Sequence, residues 1–126
     1  MKTIDLVKQY LQDEGYKYEI DQDGDVHFKY QGVNLFYTDS GNDSLFFRII
    51  MPSIYTVENN RTKVLEACNT VTRDIKVLKA FLVGDNLWLD IEMFIDSTPE
   101  FNDFFPRCLD ILYEGRKRVA AEIFND

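Results

Sequence analysis

The sequence predicts an α+β fold: helix, four strands, helix, two strands and helix, with one mostly antiparallel sheet packed on the helices. Three observations predict it. Apolar residues near both ends of the chain recur at helical spacing. Between them, four short runs alternate apolar and polar residues and are separated by polar turns. Two more such runs flank Gly84-Asp85-Asn86, a sequence that favours a hairpin turn.

The elements follow from local signals. The predicted helices cover residues 4–14, 59–74 and 106–123, with a short turn at 100–104 before the last one. The predicted strands cover residues 16–20, 26–30, 33–38, 45–50, 75–83 and 87–95. Thr3 is expected to cap the first helix and Gly15 to end it, while Ser53 or Thr56 caps the second. Pro52 should end the fourth strand, because proline cannot donate a ladder hydrogen bond.

Length and charge limit the classes of function. The chain has 126 residues, which predicts one domain over 1–126. Its net charge of −8 repels phosphate backbones, so nucleic acid is not an expected partner. No apolar run reaches signal-peptide or membrane-spanning length, which predicts a cytoplasmic protein without a membrane partner. Cys68 and Cys108 lack metal-ligand spacing and are expected to be buried, reduced thiols.

The two faces of the predicted sheet differ in character. The first and last helices should pack on an inner face that contains Val26, Phe28, Val33, Leu35, Leu45, Phe47, Leu89 and Ile91. The other face mixes aromatic and charged residues, a composition that suits a binding surface. Its candidate partner-binding residues are Phe36, Phe46, Arg48, Ile50, Trp88 and Phe94. Alternatively, the second helix lies over part of this face, and Trp88 packs beneath it.

No residue set predicts a reaction, a cofactor or a metal site. Counted from Asp21, the acidic segment 21–25 has neither the sixth-position glycine nor the twelfth-position glutamate of a calcium loop. Counted from Glu19, Gly24 is correctly placed but position twelve is Tyr30, so the segment is interpreted as a turn. His27 has no partners for a hydrolytic triad or a zinc site. Asp90 and Glu92 share a strand face, but nothing in the sequence predicts a shifted pKa for either carboxyl. The basic run 116–118 is interpreted as a solvated helix face.

The order of elements resembles the type III secretion chaperone-like fold and, within it, the YbjN-type family of small bacterial proteins. The resemblance covers nearly the whole chain. It rests on LEACN at 65–69 leading to IKV at 75–77, on VHFKYQGV at 26–33, and on the closing helix at 104–123. It implies binding of proteins or peptides, often as dimers, without catalysis. No family residue with an assigned function can be aligned to this chain.

Two functions therefore remain open. The first is a non-enzymatic protein-binding or peptide-binding module, chaperone-like or regulatory, that acts as a homodimer through burial of aromatic side chains. The second is a small-ligand sensor or regulator with a pocket between the sheet and a helix.

Overall fold

The computed structural model describes residues 2–39, 41 and 43–125, and it confirms the predicted α+β fold. In chain order the elements are α1 (Thr3–Asp13), β1 (Tyr18–Ile20), β2 (Val26–Tyr30), β3 (Val33–Tyr37), β4 (Phe46–Thr56), α2 (Arg61–Asp74), β5 (Leu78–Val83), β6 (Asn86–Phe94) and α3 (Phe101–Phe124). The strands form one sheet in the order β1-β2-β3-β4-β6-β5. Each neighbouring pair is antiparallel.

The three helices of the described chain pack on the same face of this sheet, which we call the inner face. The core joins the inner strand residues Phe28, Leu35, Phe47, Leu89 and Ile91 to Val7 and Leu11 of α1, Val64 and Val71 of α2, and Leu109 and Leu112 of α3. The hydroxyl of Thr72 accepts the N–H of Ala80 at 2.9 Å, which fixes α2 beside β5. The alternative in which the second helix covers the outer face is therefore wrong.

The fourth strand does not end at Pro52. It continues to Thr56 through a bulge, where the pairing with β6 shifts register between Met51 and Tyr55. Within the bulge Ser53 has a φ of 52°. A bulge leaves residues outside the ladder, so the missing N–H of proline does not break a ladder hydrogen bond there. Neither Ser53 nor Thr56 caps a helix, because both lie in the strand.

Two boundaries around α2 also differ from the prediction. The helix begins at Arg61, and the side chain of Asn60 donates to the Tyr55 hydroxyl at 2.8 Å, which holds the helix entrance against β4. β5 begins only at Leu78, because Val77 has a φ of 73° and cannot continue an extended strand. A positive φ is rare for a β-branched residue, so alternation alone did not predict this turn.

The helices at the two ends of the chain differ from the prediction at Thr3 and at Pro106. Thr3 is the first residue of α1 rather than its cap, and its hydroxyl donates to the carbonyl of Ser44 at 2.7 Å. α3 is one helix that includes Pro106. The proline leaves the carbonyl of Asn102 without its helical donor, and because Asn102 is exposed, water can satisfy it.

Leu45 precedes β4 and is 45% exposed, so its predicted place on the inner face is wrong.

Candidate binding face of the sheet

The outer face of the sheet, opposite the helices, carries all six residues predicted to bind a partner. Cross-strand pairing places Phe36 beside Ile50, Ile50 beside Asp90, and Asp90 beside Lys79. Because directly paired residues point to the same side of a sheet, these four form one row across β3, β4, β6 and β5. No helix in the described part of the chain lies over this row.

Aromatic rings flank the row. Trp88 is half-buried, and its ring centroid lies 6.4 Å from that of Phe81. On the other side Phe36 is half-buried and stacks on His27 at 4.7 Å. Ile50 lies between them and is only 8% exposed. The result is a patch of apolar surface that is neither sealed by the chain nor fully solvated.

The bulge in β4 lies opposite Trp88. The shifted segment between Met51 and Tyr55 leaves Trp88 between the pairs Met51–Leu89 and Tyr55–Leu87, without a regular partner on that side. Bulges are common next to functional sites, where they re-aim side chains and interrupt pairing. The bulge therefore lies opposite Trp88, the residue that the sequence predicts to be an aromatic anchor.

Phe46 and Phe94 form a separate group at a corner of the same face. They are cross-strand partners in an edge-to-face contact with centroids 6.3 Å apart, and Phe94 is 81% exposed. The row containing Arg48 and Glu92 separates them from Ile50 and Trp88. The six candidate residues therefore share a face: Phe36, Ile50 and Trp88 lie in a central patch, Phe46 and Phe94 form a corner pair, and Arg48 lies between the two groups.

A network of four charged side chains occupies the centre of the face. The Nε of Arg48 lies 2.9 Å from Oδ2 of Asp90 and 3.2 Å from Oε1 of Glu92. The Nζ of Lys79 lies 3.0 Å from the same Glu92 oxygen and 4.0 Å from Asp90. Two cations and two carboxylates thus alternate across three strands, which limits the cost of placing charge among aromatic rings.

Asp90 is the exceptional member of this network. Its side chain is fully buried, and its Oδ1 has no hydrogen-bond partner among the described residues. Burial raises its pKa to about 6; the neighbouring Glu92 carboxyl raises it too, while Arg48 lowers it. The ammonium of Lys79 lowers the pKa of Glu92. The sequence showed no cause for such a shift, because the burial that raises the pKa of Asp90 depends on side chains of the adjacent strands.

A shifted carboxyl pair can indicate acid–base catalysis, but the geometry here favours a structural role. Asp90 has no accessible surface, so a substrate cannot contact it in this conformation. Sequence reasoning also missed Lys79 and Phe81 as members of the face. The signal was available: a two-residue loop at Gly84-Asp85 makes Val83 pair with Asn86, which aligns Phe81 with Trp88 and Lys79 with Asp90.

The other motifs have structural explanations. The carboxylate of Asp21 accepts the N–H groups of Asp23 and Asp25, both at 2.9 Å, so it organises the turn before β2.

Cys68 and Cys108 are buried free thiols, as predicted. Burial raises the pKa of both thiols, to about 11 for Cys108.

A cavity lies between β4 and the C-terminal half of α3. Its volume is about 280 Å³, and its walls are Ile54, Tyr55, Arg116, Lys117, Val119, Ala120, Ile123 and Phe124. Phe124 is 69% exposed and packs edge-to-face on Tyr55 with centroids 5.7 Å apart. This is the kind of pocket between sheet and helix that the second predicted function requires.

Among the described residues, no helix is both long enough and apolar enough to cross a membrane. The solved structures that share the fold include the following two. An uncharacterized protein from Methanothermobacter thermautotrophicus has a TM-score of 0.67 at 15% identity, over 96% of each chain. YbjN from E. coli, described as "a putative transcription regulator", has a TM-score of 0.62 at 13% identity, over 95% of this chain and 87% of its own. At such identities the likeness shows the fold alone.

No curated protein matches the chain in sequence. A family model does match: YbjN, described as "putative bacterial sensory transduction regulator", over residues 3–97. The match includes α1, the whole sheet and α2, and thus every residue of the outer face. The chain belongs to the YbjN family.

Proposed function

We propose that this protein is a non-catalytic regulatory module of the bacterial cytoplasm that binds a protein or peptide, including a second copy of itself, on the outer face. The observation that carries the proposal is the central patch: Trp88, Phe81 and Phe36 remain partly exposed on a sheet face that the described helices leave open. Large aromatic side chains are the residue type that most often dominates binding energy at protein interfaces.

The regulatory part of the proposal draws on the family. The family description names sensory transduction, and the E. coli relative is described as a transcription regulator. With a net charge of −8, direct contact with a phosphate backbone is unfavourable, so we infer that this chain regulates through a protein partner. Two buried free thiols suit a reducing compartment.

The ion pairs of the charged network lower the cost of covering this face with a partner. An interface that buried Arg48 and Lys79 without their carboxylate partners would be strongly unfavourable, but here each cation already has one. A partner therefore need only supply apolar surface opposite Trp88, Phe81 and Phe36 and polar groups opposite the charged network. Apolar burial contributes about 25 cal/mol per Å², before the cost of association is subtracted.

The test compares Trp88→Ala with Phe124→Ala, a substitution of an exposed aromatic residue that lies off the outer face. Light scattering over a concentration series measures self-association, and binding to an immobilised random-sequence peptide library measures peptide capture. Loss of a central aromatic anchor typically costs about 2 kcal/mol, so Trp88→Ala should weaken binding about thirtyfold. Equal binding by both variants and the wild type, with unchanged far-UV spectra, would exclude this face as the site.

A second candidate function, a small-ligand sensor, is favoured by the cavity between β4 and α3. Its volume of about 280 Å³ is close to the lower limit for ligand pockets, and buried Val119 and Ile123 make its floor apolar. This function predicts a metabolite that raises the melting temperature of the wild type and of Trp88→Ala but not of Phe124→Ala. A thermal-shift screen with these three proteins separates the two functions.

A further inference from the structure

We propose that the cavity between β4 and α3 binds a small carboxylate with a short, straight apolar chain, and that Arg116 is the residue that holds the carboxylate. The proposal rests on the second candidate function and names the class of ligand for that cavity. The volume of the cavity is about 280 Å³. At about 30 Å³ for a water-sized group, this space holds about nine non-hydrogen atoms, which is close to the size of hexanoate.

The bulge of β4 builds one wall of the cavity. Three residues of the strand, 52–54, lie opposite the single residue Trp88 of β6. In a regular strand consecutive side chains point to opposite faces of the sheet. Here Ile54 and Tyr55 are consecutive, yet both pack against the core and both line the cavity. The bulge therefore supplies apolar surface that a regular strand would divide between the two faces.

A row of side chains on α3 forms the opposite wall. Arg116, Ala120 and Phe124 are spaced four residues apart, so they follow one another along one side of the helix. Ala120 has only a methyl group and leaves a gap between its two large neighbours in the row. The ring of Phe124 packs edge-to-face on Tyr55, and Arg116 lies two helical turns before it. The row thus has an aromatic end, a gap and a cationic end.

The unpaired charge of Arg116 selects an anion. Arg116 is exposed, and it has no ion pair or hydrogen bond among the described residues. The next two cations of the helix differ, because Lys117 lies 2.8 Å from Glu114 and Arg118 lies 2.8 Å from Asp74. None of the residues that line the cavity is Asp or Glu. In a chain with a net charge of −8, this apolar cavity therefore has a cation without a carboxylate partner.

The chemistry fits a single carboxylate on an apolar chain. A guanidinium can donate two parallel N–H groups to the two oxygens of a carboxylate. The buried side chains of Val119 and Ile123 supply apolar surface for the chain of the ligand. The carbonyl end of α3 carries partial negative charge, which directs the carboxylate away from Phe124 and toward Arg116. A doubly charged ligand is disfavoured, because Lys117 is already paired with Glu114.

The experiment titrates the full chain with sodium hexanoate and with hexanamide, a neutral molecule of nearly the same shape. Two-dimensional amide NMR at constant ionic strength follows the signals of Tyr55 and Ala120. Hexanoate should give saturable shifts at these amides and bind at least tenfold more tightly than hexanamide. Arg116→Gln should weaken hexanoate about tenfold and leave hexanamide within about twofold. Ala120→Leu keeps a strong helix former, fills the gap and should abolish the binding of both probes.

Arg107→Gln is the matched control, because Arg107 is an exposed arginine of the same helix that lies outside the cavity. It should leave the affinity for hexanoate within about twofold of the wild type, since exposed charges more than a Debye length away are screened. Equal affinity for the two probes, or equal losses in Arg107→Gln and Arg116→Gln, would overturn the carboxylate proposal but leave the cavity as a ligand site. Hexanoate binding that survives in Ala120→Leu, or an absence of saturable shifts, would also overturn it. The sensor function itself fails only if the thermal-shift screen finds no ligand, so the two failures are distinguishable.

Discussion

Replacing Asp90 with asparagine should remove a pH dependence that this single carboxyl gives to the stability of the fold. The side chain is fully buried, its Oδ1 lacks a donor, and burial raises its pKa from 3.8 to about 6. Between these two values the folded protein binds a proton that the unfolded chain has released. Stability therefore falls as the pH rises from about 4 to above 6.

The magnitude follows from the size of the shift. A difference of about two pKa units corresponds to about 3 kcal/mol between the two ends of this range. Glu92 acts in the opposite direction, since Lys79 lowers its pKa and its contribution is lost as the pH falls below about 4.5. The wild type should therefore lose less than 3 kcal/mol, whereas the difference between the wild type and Asp90→Asn isolates the Asp90 part.

Asparagine reproduces the neutral form of Asp90: it has the same shape, it accepts from Arg48, and its amide can donate to Glu92. The assay is urea unfolding at intervals from pH 4 to pH 8, for the wild type, Asp90→Asn and the control Glu66→Gln, which removes one exposed carboxylate of α2. Relative to Asp90→Asn, the wild type should lose up to about 3 kcal/mol across this range. Parallel profiles for the wild type and Asp90→Asn would refute the reasoning.

Three further predictions concern the helices and the core that they form on the inner face. A Cβ at Gly115 would overlap Cδ2 of Leu78, so Gly115→Ala should destabilise by about 1–3 kcal/mol in urea unfolding, whereas in a Leu78→Ala background the same change should stabilise. Gly15→Ala should cost about 1–2 kcal/mol because of the positive φ, seen as a lower urea midpoint with an unchanged slope. Cys68 and Cys108 should react with iodoacetamide only on unfolding, as measured by mass spectrometry, and rapid labelling of the native protein would contradict their burial.

Much of the fold was predictable because its signals are local. Period-two alternation located β2, β3 and β6, and the turn-forming residues 84–86 located the last hairpin, although its loop contains only Gly84 and Asp85. The glycine at position 15 ended the first helix as expected. The predicted strand boundaries were wrong where tertiary contacts overrode local preference. Pro52 is accommodated in a strand by a bulge, and Val77 adopts a left-handed conformation between α2 and β5.

The candidate site also has features that local signals predict and features that depend on tertiary contacts. Alternation was sufficient to place Phe36, Ile50 and Trp88 on one face, because side chains on a strand point to opposite sides in turn. Whether that face is open depends on which face of the sheet α2 packs against. The helix is polar over much of its surface, so its sequence is compatible with packing on either face. The shared core of α2, β5 and α3 decided it.

By itself, the sequence determined the element order and placed Phe36, Ile50 and Trp88 on one face of the sheet, since both follow from the periodicity of neighbouring residues. Only the tertiary structure decided that Asp90 is buried among Arg48, Lys79 and Glu92, and that Ile54, Tyr55 and Arg116 meet in one cavity. The reason is physical: burial and pKa depend on residues that are distant along the chain and become neighbours only when strands pair and helices pack.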